Sequence, residues 1–418
     1  MTAHSGCGCD AVEQQPLAPY EEAIETLLAQ AQVVTETEQL PLNEALGRIL
    51  AEDIVSDIDV PPADNSAMDG YAIQFKDVNR DGESRLKISQ RIAAGEVGQT
   101  LEAGTAARIF TGAIIPAGAD AVIMQEQTSV EGDDLVFSCA VNRGQNIRRA
   151  GEDIKKQQTV IAAGTYLRAQ ELGLAASVGK SHVKVKRKVR VGIFFTGDEL
   201  IEPGHPLPPG KIYDSNRYTL NGLLNGMQCE IIDLGIVGDT LEQTKQAILD
   251  ACAQADLVIT SGGVSVGEED HVKNAIEQLG ELRMWKLNIK PGKPLALGLV
   301  NGASFIGLPG NPVSVFATFS LMVSPFLKKM QGRKDLLPQA MTVTSAFTWG
   351  KPDKRREFAR ARLMTSADGH AQVDIYPSQS SGVLMSTSWA DGLVVIPENT
   401  PVLPGDQVAY IPFSQMLD

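Results

Sequence analysis

Between residues 188 and 330 the sequence repeats one pattern, in which a continuous apolar run is followed by a polar loop and then by an amphipathic segment. The apolar runs predict strands over 189–195, 230–237, 257–260 and 304–307, and the amphipathic segments predict helices over 215–225, 241–253, 271–279 and 313–330. Such alternation is typical of a parallel sheet covered by helices on both faces. It predicts a doubly wound α/β/α domain whose ligands bind beyond the carboxyl ends of the strands.

The rest of the chain predicts smaller parts around this α/β domain. Short apolar runs broken by Gly, Pro, Asn and Asp predict a β-rich module over 56–153, inserted in a linker and helical domain made of 16–55 and 154–187. Alternating short runs over 331–418 predict a small C-terminal β-barrel, and residues 1–15 read as a disordered tail. The fold class is therefore a multidomain α/β protein.

Charge and cysteine content restrict the partners and the compartment. The 37 basic and 51 acidic residues give a net charge of −14, which opposes binding to nucleic acid or to anionic membranes. The five cysteines form no disulfide spacing and the N-terminus has no signal-peptide pattern, so we expect a cytoplasmic protein. Cys7 and Cys9 with His4 are typical of a frayed tail rather than of a metal site.

Residues 294–327 contain no charged side chain, a length that could cross a bilayer. Prolines, glycines and asparagines divide the run into two strands, a loop and a helix over 313–327. That helix is too short to span, so we expect the segment to be the interior of a domain.

Two loops after predicted strands favour anion binding. The first, Ser261-Gly-Gly-Val-Ser-Val-Gly267, can turn backbone N–H groups inward as a nest beside a helix N-terminus; the alternative is a tight turn with Asp270 as the helix N-cap. The second, Gly307-Leu-Pro-Gly-Asn-Pro312, opens the long helix; the alternative is a turn fixed by its prolines. At one sheet edge the two loops would share a cleft.

Carboxylates follow the same strand ends. Asp198, Glu199, Asp239 and Asp270 all fall in loops at one edge of the predicted sheet. Such a density of negative charge is unfavourable unless a cation balances it, so a divalent metal such as Mg²⁺ next to a phosphate is one interpretation. Separate helix caps are the other.

Basic residues provide the opposite charge. Lys286, Lys290 and Lys293 lie on a segment fixed by Pro291 and Pro294 beside the uncharged run, where unpaired ammonium groups favour an anionic partner. A second cluster contains Arg355, Arg356, Arg360 and Arg362. The cluster fits either an edge strand whose charges keep it soluble or a site that binds an oxyanion.

Seven motifs in this order resemble one known family. They are Asp64-Asn-Ser-Ala-Met-Asp-Gly-Tyr71, Thr111-Gly-Ala, Arg148-Arg-Ala-Gly-Glu-Asp153, Thr196-Gly-Asp-Glu199, Ser261-Gly-Gly-Val-Ser-Val-Gly267, Lys290-Pro-Gly-Lys-Pro294 and Gly307-Leu-Pro-Gly-Asn-Pro312. The chain resembles the molybdopterin molybdenumtransferases, which include the E domain of gephyrin. The resemblance implies a transferase of molybdenum cofactor biosynthesis that inserts molybdate into adenylylated molybdopterin, with Mg-dependent release of AMP.

The resemblance also implies roles for residues. Asp69, Glu199, Asp239 and Asp270 are expected to be catalytic, the last three as Mg²⁺ ligands. The expected substrate-binding residues are Thr111, Arg148, Asp153, Ser261, Gly262, Gly263, Ser265, Gly267, Lys286, Lys290, Lys293, Pro309, Gly310, Asn311, Pro312, Ser314, Arg360 and Ser381. Among these, the three lysines with Ser265, Ser314, Arg360 and Ser381 are expected to hold molybdate or the terminal phosphate.

The family is an elongated homodimer in which the β-rich module of one subunit faces the α/β domain of the other, so the resemblance implies a homodimer. It also implies contacts with the upstream adenylyltransferase and with chaperones of molybdoenzymes. Two alternatives remain from the residues: an adenylyltransferase or nucleotide pyrophosphatase of the same α/β fold, and a non-catalytic scaffold like the gephyrin E domain.

Overall fold

The computed structural model describes residues 17–263 and 271–417. The described chain divides into two compact units, one made of residues 39–46 with 50–184 and the other of the remaining residues. The helices are α1 (Tyr20–Gln30), α2 (Ala169–Ser177), α3 (Ser215–Gly226), α4 (Leu241–Cys252), α5 (His271–Leu279), α6 (Pro312–Thr318), α7 (Ser324–Met330), α8 (Met385–Trp389) and α9 (Phe413–Leu417). The five-part division predicted from the sequence stays a prediction.

The first half of the chain contributes short strands. They are β1 (Thr37–Pro41), β2 (Ile54–Val55), β3 (Asn65–Ser66), β4 (Gly70–Ile73), β5 (Ser84–Ile92), β6 (Thr105–Ile109), β7 (Ala121–Met124), β8 (Ser129–Glu131), β9 (Asp134–Phe137), β10 (Ile147–Arg148), β11 (Thr159–Ile161) and β12 (His182–Lys186). Six of them form a sheet in the order β7-β4-β6-β5-β9-β8. Apolar side chains pack on both faces of this sheet, which confirms the predicted β-rich module.

The second half contains the α/β sheet. Its strands are β13 (Arg190–Thr196), β16 (Glu230–Val237), β17 (Leu257–Ser261), β18 (Glu281–Lys286), β20 (Pro294–Val300) and β21 (Ala303–Leu308), with β14 (Leu200–Ile201), β15 (Ile212–Tyr213) and β19 (Ile289–Lys290) outside it. The order is β16-β13-β17-β21-β20-β18. Strands β16, β13, β17 and β21 are parallel as predicted, whereas β20 is antiparallel to both of its neighbours, β21 and the edge strand β18, which was not predicted.

Side-chain alternation along β13 explains why both faces are covered. Val191, Ile193 and Phe195 belong to a core shared with α3, α6 and α7. Phe194 points to the other face and packs in a second core with residues of α4 and α5. Because successive residues of a strand face opposite sides, an all-apolar strand is stable only between two layers. The doubly wound α/β/α layering is confirmed.

The C-terminal strands form a closed barrel. They are β22 (Met341–Ser345), β23 (Arg356–Thr365), β24 (Ala371–Ile375), β25 (Gly392–Ile396) and β26 (Gln407–Pro412). The order β23-β24-β22-β26-β25 is closed by pairing of β25 with β23, and β19 pairs with β23. The predicted small barrel is confirmed, and closure leaves no free edge among its five strands.

The long helix predicted over 313–330 is present in the structure. Helices α6 and α7 are joined by a π-helical turn, Phe319–Val323, so the helical run covers Pro312–Met330. By length and composition this run could cross a membrane, but 89% of its apolar 18-residue stretch is buried inside the fold. Its burial is typical of a core helix.

Candidate active site

Two loops meet at the carboxyl edge of the parallel sheet. Strands β17 and β21 are parallel neighbours, with Ser261 paired to Leu308, so the residues after them leave the sheet side by side. The Gly262 N–H donates to the Leu308 carbonyl at 3.2 Å. Gly262 has φ +95°, and a Cβ there would stand 3.0 Å from the Thr196 carbonyl oxygen. Glycine is required because the backbone turns left-handed against a neighbouring chain.

These loops line a cavity of about 640 Å³, which we call the lysine cavity. It brings together nine of the residues predicted for substrate binding: Gly262, Gly263, Lys290, Lys293, Pro309, Gly310, Asn311, Ser314 and Ser381. The Arg355 side chain joins Lys290 and Lys293 in its wall, which gives the cavity three cationic residues. A cavity of this composition can bind an oxyanion.

The two lysines of the cavity differ in their partners. Lys290 Nζ lies 2.8 Å from Glu357 Oε1 and 3.4 Å from an Asp353 oxygen. Arg355 pairs with the same aspartate at 3.1 Å, and its hydrogen bonds hold the pKa of the Asp353 carboxyl well below its usual value. Lys293 is exposed and has no ion pair with any residue of the described chain. Lys293 is therefore the ammonium group most available to an incoming anion.

One wall of the lysine cavity comes from the barrel region. The Val313 N–H, in the first turn of α6, donates to the Ser381 carbonyl at 3.1 Å, which fixes the 379–381 loop against the start of that helix. Ser314 on the next position is 4% exposed and lines the same cavity. The 307–312 motif and Ser381 therefore lie side by side in the structure.

Arg360 supports this wall and is not part of the cavity lining. Its side chain is 1% exposed, Nε donates to Ser386 Oγ at 3.1 Å, and Nη2 donates to the Ser380 carbonyl at 3.3 Å. Burial lowers the pKa of the guanidinium to about 10. In the structure Arg355 lines the lysine cavity and Arg360 does not, and the anion-binding role expected for Arg360 stays a prediction.

A second cavity of about 340 Å³, which we call the side cavity, lies next to the first. Gly262 and Gly310 line both cavities, so these two glycines form the wall between them. Three further predicted residues line the side cavity: Glu199, Ser261 and Pro312.

Asn216, which the sequence analysis did not select, connects the two loops that form this wall. Its Nδ2 donates to Ser261 Oγ at 2.8 Å and to the Gly310 carbonyl at 2.8 Å. Ser261 Oγ in turn donates to the Pro309 carbonyl at 3.2 Å. The asparagine stands in the first turn of α3, whose N-cap is Asp214. A polar residue at a helix start facing the sheet edge is the only local signal for this role.

Asp214 caps α3 from inside the fold. One carboxylate oxygen accepts from the Arg217 N–H at 3.1 Å, while the other is buried without a hydrogen-bond donor in the described chain. The residue is 2% exposed, and burial raises the pKa of its carboxyl group. Asp214 also lines the side cavity.

The predicted metal-binding carboxylates are only partly described. Glu199 is exposed in the side cavity, and Asp239 follows β16 at the same sheet edge. Asp270 lies outside the described residues, as do Ser265 and Gly267. Within residues 17–263 and 271–417, no three His, Cys, Asp or Glu side chains cluster closely enough to hold a metal ion.

In the β-rich unit, Asp69 and Thr111 are in direct contact. The Thr111 N–H and hydroxyl both donate to Asp69 Oδ1, at 2.8 and 2.7 Å. These bonds lower the pKa of the Asp69 carboxyl, the backbone donation being the larger cause. Asp69 and Thr111, which are more than forty residues apart in the sequence, are therefore direct hydrogen-bond partners in the structure.

The remaining predicted residues lie elsewhere. Arg148 is exposed at the end of β10, opposite Asn65, and Asp153 is exposed in the loop that follows. Lys286 ends β18 opposite Pro294 and is not in the lining of the lysine cavity. Cys7, Cys9 and His4 lie outside the described residues.

Three family regions match the chain in order. Residues 18–179 match the MoeA N-terminal region (domain I and II), 192–329 match a probable molybdopterin binding domain, and 342–413 match the MoeA C-terminal region (domain IV). The boundaries of the second and third regions coincide with the α/β sheet and the barrel.

Individual relatives cover nearly the whole chain. A protein of Haemophilus influenzae called molybdopterin molybdenumtransferase is 42% identical over 95% of this chain and 99% of its own. A relative of the same name from Nostoc sp. is 37% identical over 87% of this chain and 85% of its own. A crystal structure of the molybdopterin biosynthesis MoeA protein from Pyrococcus horikoshii is 34% identical, with a TM-score of 0.83 over 95% of this chain and 100% of the other.

Proposed function

We propose, from the premise that the chain belongs to the molybdopterin molybdenumtransferase (MoeA) family, that it inserts molybdate into adenylylated molybdopterin and releases AMP. It is a transferase of molybdenum cofactor biosynthesis. In the proposed reaction the phosphoanhydride of the adenylylated substrate is hydrolysed, so AMP leaves while molybdopterin keeps its own phosphate. Both the co-substrate and the cleaved bond are anionic.

The observation that supports this proposal is the lysine cavity. It places Lys290, Lys293 and Arg355 around two glycine-containing loops, and the Lys293 ammonium group has no partner in the described chain. Cationic side chains and backbone N–H groups are the donors that proteins use for tetrahedral oxyanions. We assign the molybdate or the terminal phosphate to this cavity, with Ser314 and Ser381 on its wall.

The donor chemistry of the neighbouring loops fits Mg²⁺. Glu199 offers a carboxylate that accepts no hydrogen bond from the described residues, and Asp214 carries a buried oxygen without a donor in the same cavity. Carboxylate oxygens are the ligands that Mg²⁺ prefers. We propose that Glu199, Asp239 and Asp270 hold the ion. When bound, it would supply positive charge to the phosphoryl oxygens of the scissile bond.

The β-rich unit supplies a second set of polar groups. We propose that Asp69, kept ionised by Thr111, acts in a homodimer in which each β-rich module faces the α/β domain of the other subunit. The low pKa of Asp69 supports a role as a carboxylate at neutral pH rather than as a proton donor. The cytoplasm is the compartment we propose, where the upstream adenylyltransferase and the chaperones of molybdoenzymes would be the partners.

The alternatives are less well supported. An adenylyltransferase or pyrophosphatase of the same fold needs only the α/β domain, whereas the family match extends over residues 18–179 and 342–413 as well. A scaffold without catalysis needs no cavity with an unpaired lysine.

The test is the reaction itself. Purified protein is mixed with adenylylated molybdopterin and Mg²⁺, and AMP is measured with and without molybdate. We expect molybdate to stimulate AMP release. AMP release that is indifferent to molybdate would instead favour a pyrophosphatase.

A further inference from the structure

Arg108, a residue that the sequence analysis did not select, lies at the end of the β-rich sheet beside the Asp69 and Thr111 pair. It stands on β6, opposite Tyr71 of β4. Asp69 directly precedes β4, and Thr111 follows the end of β6 by two residues. The Arg108 side chain is therefore within reach of the backbone that carries both members of the pair.

The guanidinium group of Arg108 connects two segments that meet at Asp69. Its Nη1 donates to the Gly70 carbonyl at 2.9 Å, and its Nη2 donates to Gln125 Oε1 at 2.5 Å. The Gln125 N–H in turn donates to the Asp69 carbonyl at 3.0 Å. The planar guanidinium holds its N–H donors in a fixed geometry, so two simultaneous bonds restrict both partners. One side chain thus fixes the residue after Asp69 and a residue that hydrogen-bonds to Asp69.

Two aromatic rings hold the Arg108 side chain in place. Its guanidinium carbon lies 5.1 Å from the centroid of the Tyr71 ring and 4.7 Å from that of the Phe110 ring. Tyr71 is 8% exposed, and Arg108 and Phe110 are half-buried. Guanidinium groups bind favourably over aromatic faces. The stacking therefore orients the two hydrogen bonds before any substrate binds.

The charge of Arg108 also acts on Asp69. Hydrogen bonds from Thr111 are the larger causes that lower the pKa of the Asp69 carboxyl, and the Arg108 cation lowers that pKa further. Glu126, a carboxylate on the adjoining turn, accepts from Gln125 Nε2 at 3.2 Å. Removing the Arg108 charge should therefore raise the pKa of Asp69 towards its usual value.

We propose that Arg108 is a positioning residue of the reaction, which holds Asp69 and its Thr111 donor in the arrangement that acts on the substrate. This inference rests on the proposed function, in which Asp69 works as a carboxylate. The guanidinium forms no ion pair with the Asp69 carboxylate and acts on it through the Gly70 and Gln125 contacts and through its charge.

Arg91→Met is the matched control for Arg108→Met. Arg91 lies opposite Arg108 on the neighbouring strand β5, and its guanidinium carbon is 4.5 Å from the centroid of the Phe110 ring. Arg91 donates no hydrogen bond to a residue of the described chain. Both variants remove one positive charge and one cation over the same ring, whereas only Arg108→Met removes the bonds to Gly70 and Gln125.

Hydrogen–deuterium exchange of the full chain, measured by mass spectrometry, follows the backbone around Asp69 without turnover. The Thr111 and Gln125 amides are the reporters because both donate to Asp69. We expect Arg108→Met to accelerate their exchange at least about fivefold and Arg91→Met to leave it within about twofold. Unchanged exchange in Arg108→Met would overturn the positioning role.

Molybdate-dependent AMP release connects this arrangement to the reaction. We expect kcat to fall at least about tenfold in Arg108→Met, with KM for adenylylated molybdopterin within about twofold, because the lost positioning matters in the transition state. The acid limb of the pH–kcat/KM profile should move upward, since Asp69 then protonates at a higher pH; a loss of stability alone would not move it. Arg91→Met should change neither kcat nor the limb.

Arg108→Lys keeps the charge and one hydrogen-bond donor, so its loss of kcat should lie between those of the wild type and Arg108→Met. It also decides the case in which Arg108→Met does not fold. Wild-type exchange and wild-type kinetics in Arg108→Lys would then contradict the proposal.

The two measurements separate this inference from the proposed function. A wild type that releases no AMP with molybdate, although exchange responds to Arg108→Met as expected, overturns the proposed function and leaves the support of Asp69 by Arg108 in place. An active wild type whose kinetics are unchanged by Arg108→Met overturns the positioning role alone.

Discussion

Replacing Asn216 by Ala removes the connection between α3 and the two loops of the site. The wild-type amide donates two hydrogen bonds, each 2.8 Å long, to Ser261 and to Gly310. A hydrogen bond of this kind contributes about 1 kcal/mol net, so the variant loses about 2 kcal/mol of loop positioning. If that loss is expressed in the transition state, kcat/KM for molybdate-dependent AMP release falls about thirtyfold.

Asn221→Ala is the matched control because it stands on the same helix. Asn221 Nδ2 also donates two hydrogen bonds, to the Arg217 carbonyl and to Asp233, and neither partner belongs to the two loops. We expect similar losses of Tm in both variants and a loss of kcat/KM only in Asn216→Ala. Wild-type kcat/KM in Asn216→Ala, or an equal loss in Asn221→Ala, would refute the positioning role.

The remaining predictions concern the lysines and the β-rich unit. Lys290→Met leaves the buried Glu357 carboxylate without its 2.8 Å partner and should lower the free energy of unfolding by about 1–3 kcal/mol in a denaturant titration, whereas Lys293→Met should leave it almost unchanged. Both variants should weaken molybdate binding measured by calorimetry, and equal stability of the two would contradict the described pairing. Thr111→Val removes the hydroxyl donation that helps to lower the pKa of Asp69, so that pKa should rise towards its usual value. Asp69 then protonates at a higher pH, and the acid limb of the pH–kcat/KM profile should move upward; an unmoved limb would argue against a role for the ionised carboxylate.

The layout of the α/β domain was predictable because its signals are local. Continuous apolar runs with intervening amphipathic segments determine strands and helices over a few residues each, and the predicted helix over 271–279 has the bounds of α5. The loops at the strand ends followed from the parallel direction of β17 and β21. What that pattern alone does not give is the antiparallel direction of β20, which is set by its two-residue connection to β21, or the pairing of β18 at the edge of the sheet.

The spacing of the arginines did not predict which of them lines the lysine cavity and which is buried. The basic cluster over 355–362 suggested an edge strand or an oxyanion site, yet β23 pairs with strands on both sides and buries Arg360 beneath the Ser380 loop. Arg355 precedes β23 and lines the cavity, whereas Arg360 lies within the strand, and the burial of Arg360 depends on the phase of that strand in the closed barrel. That phase is set by pairings with residues far away in the chain.

The role of Asn216 was not predicted from the sequence for a related reason. Its two hydrogen-bond partners lie 45 and 94 residues away, and a single Asn in a helical first turn has the appearance of an ordinary capping residue. Only the convergence of the start of α3 with the two loops at one sheet edge gives it a function. Residues that position a site through long-range contacts are therefore identified only from the structure.

The most direct test of the central claim is a crystal structure of the protein soaked with molybdate, with data collected for the anomalous signal of molybdenum. We expect a peak in the lysine cavity, within hydrogen-bond distance of Lys293 and close to Arg355 and Ser381. A peak in the side cavity beside Glu199, with none in the lysine cavity, would contradict it.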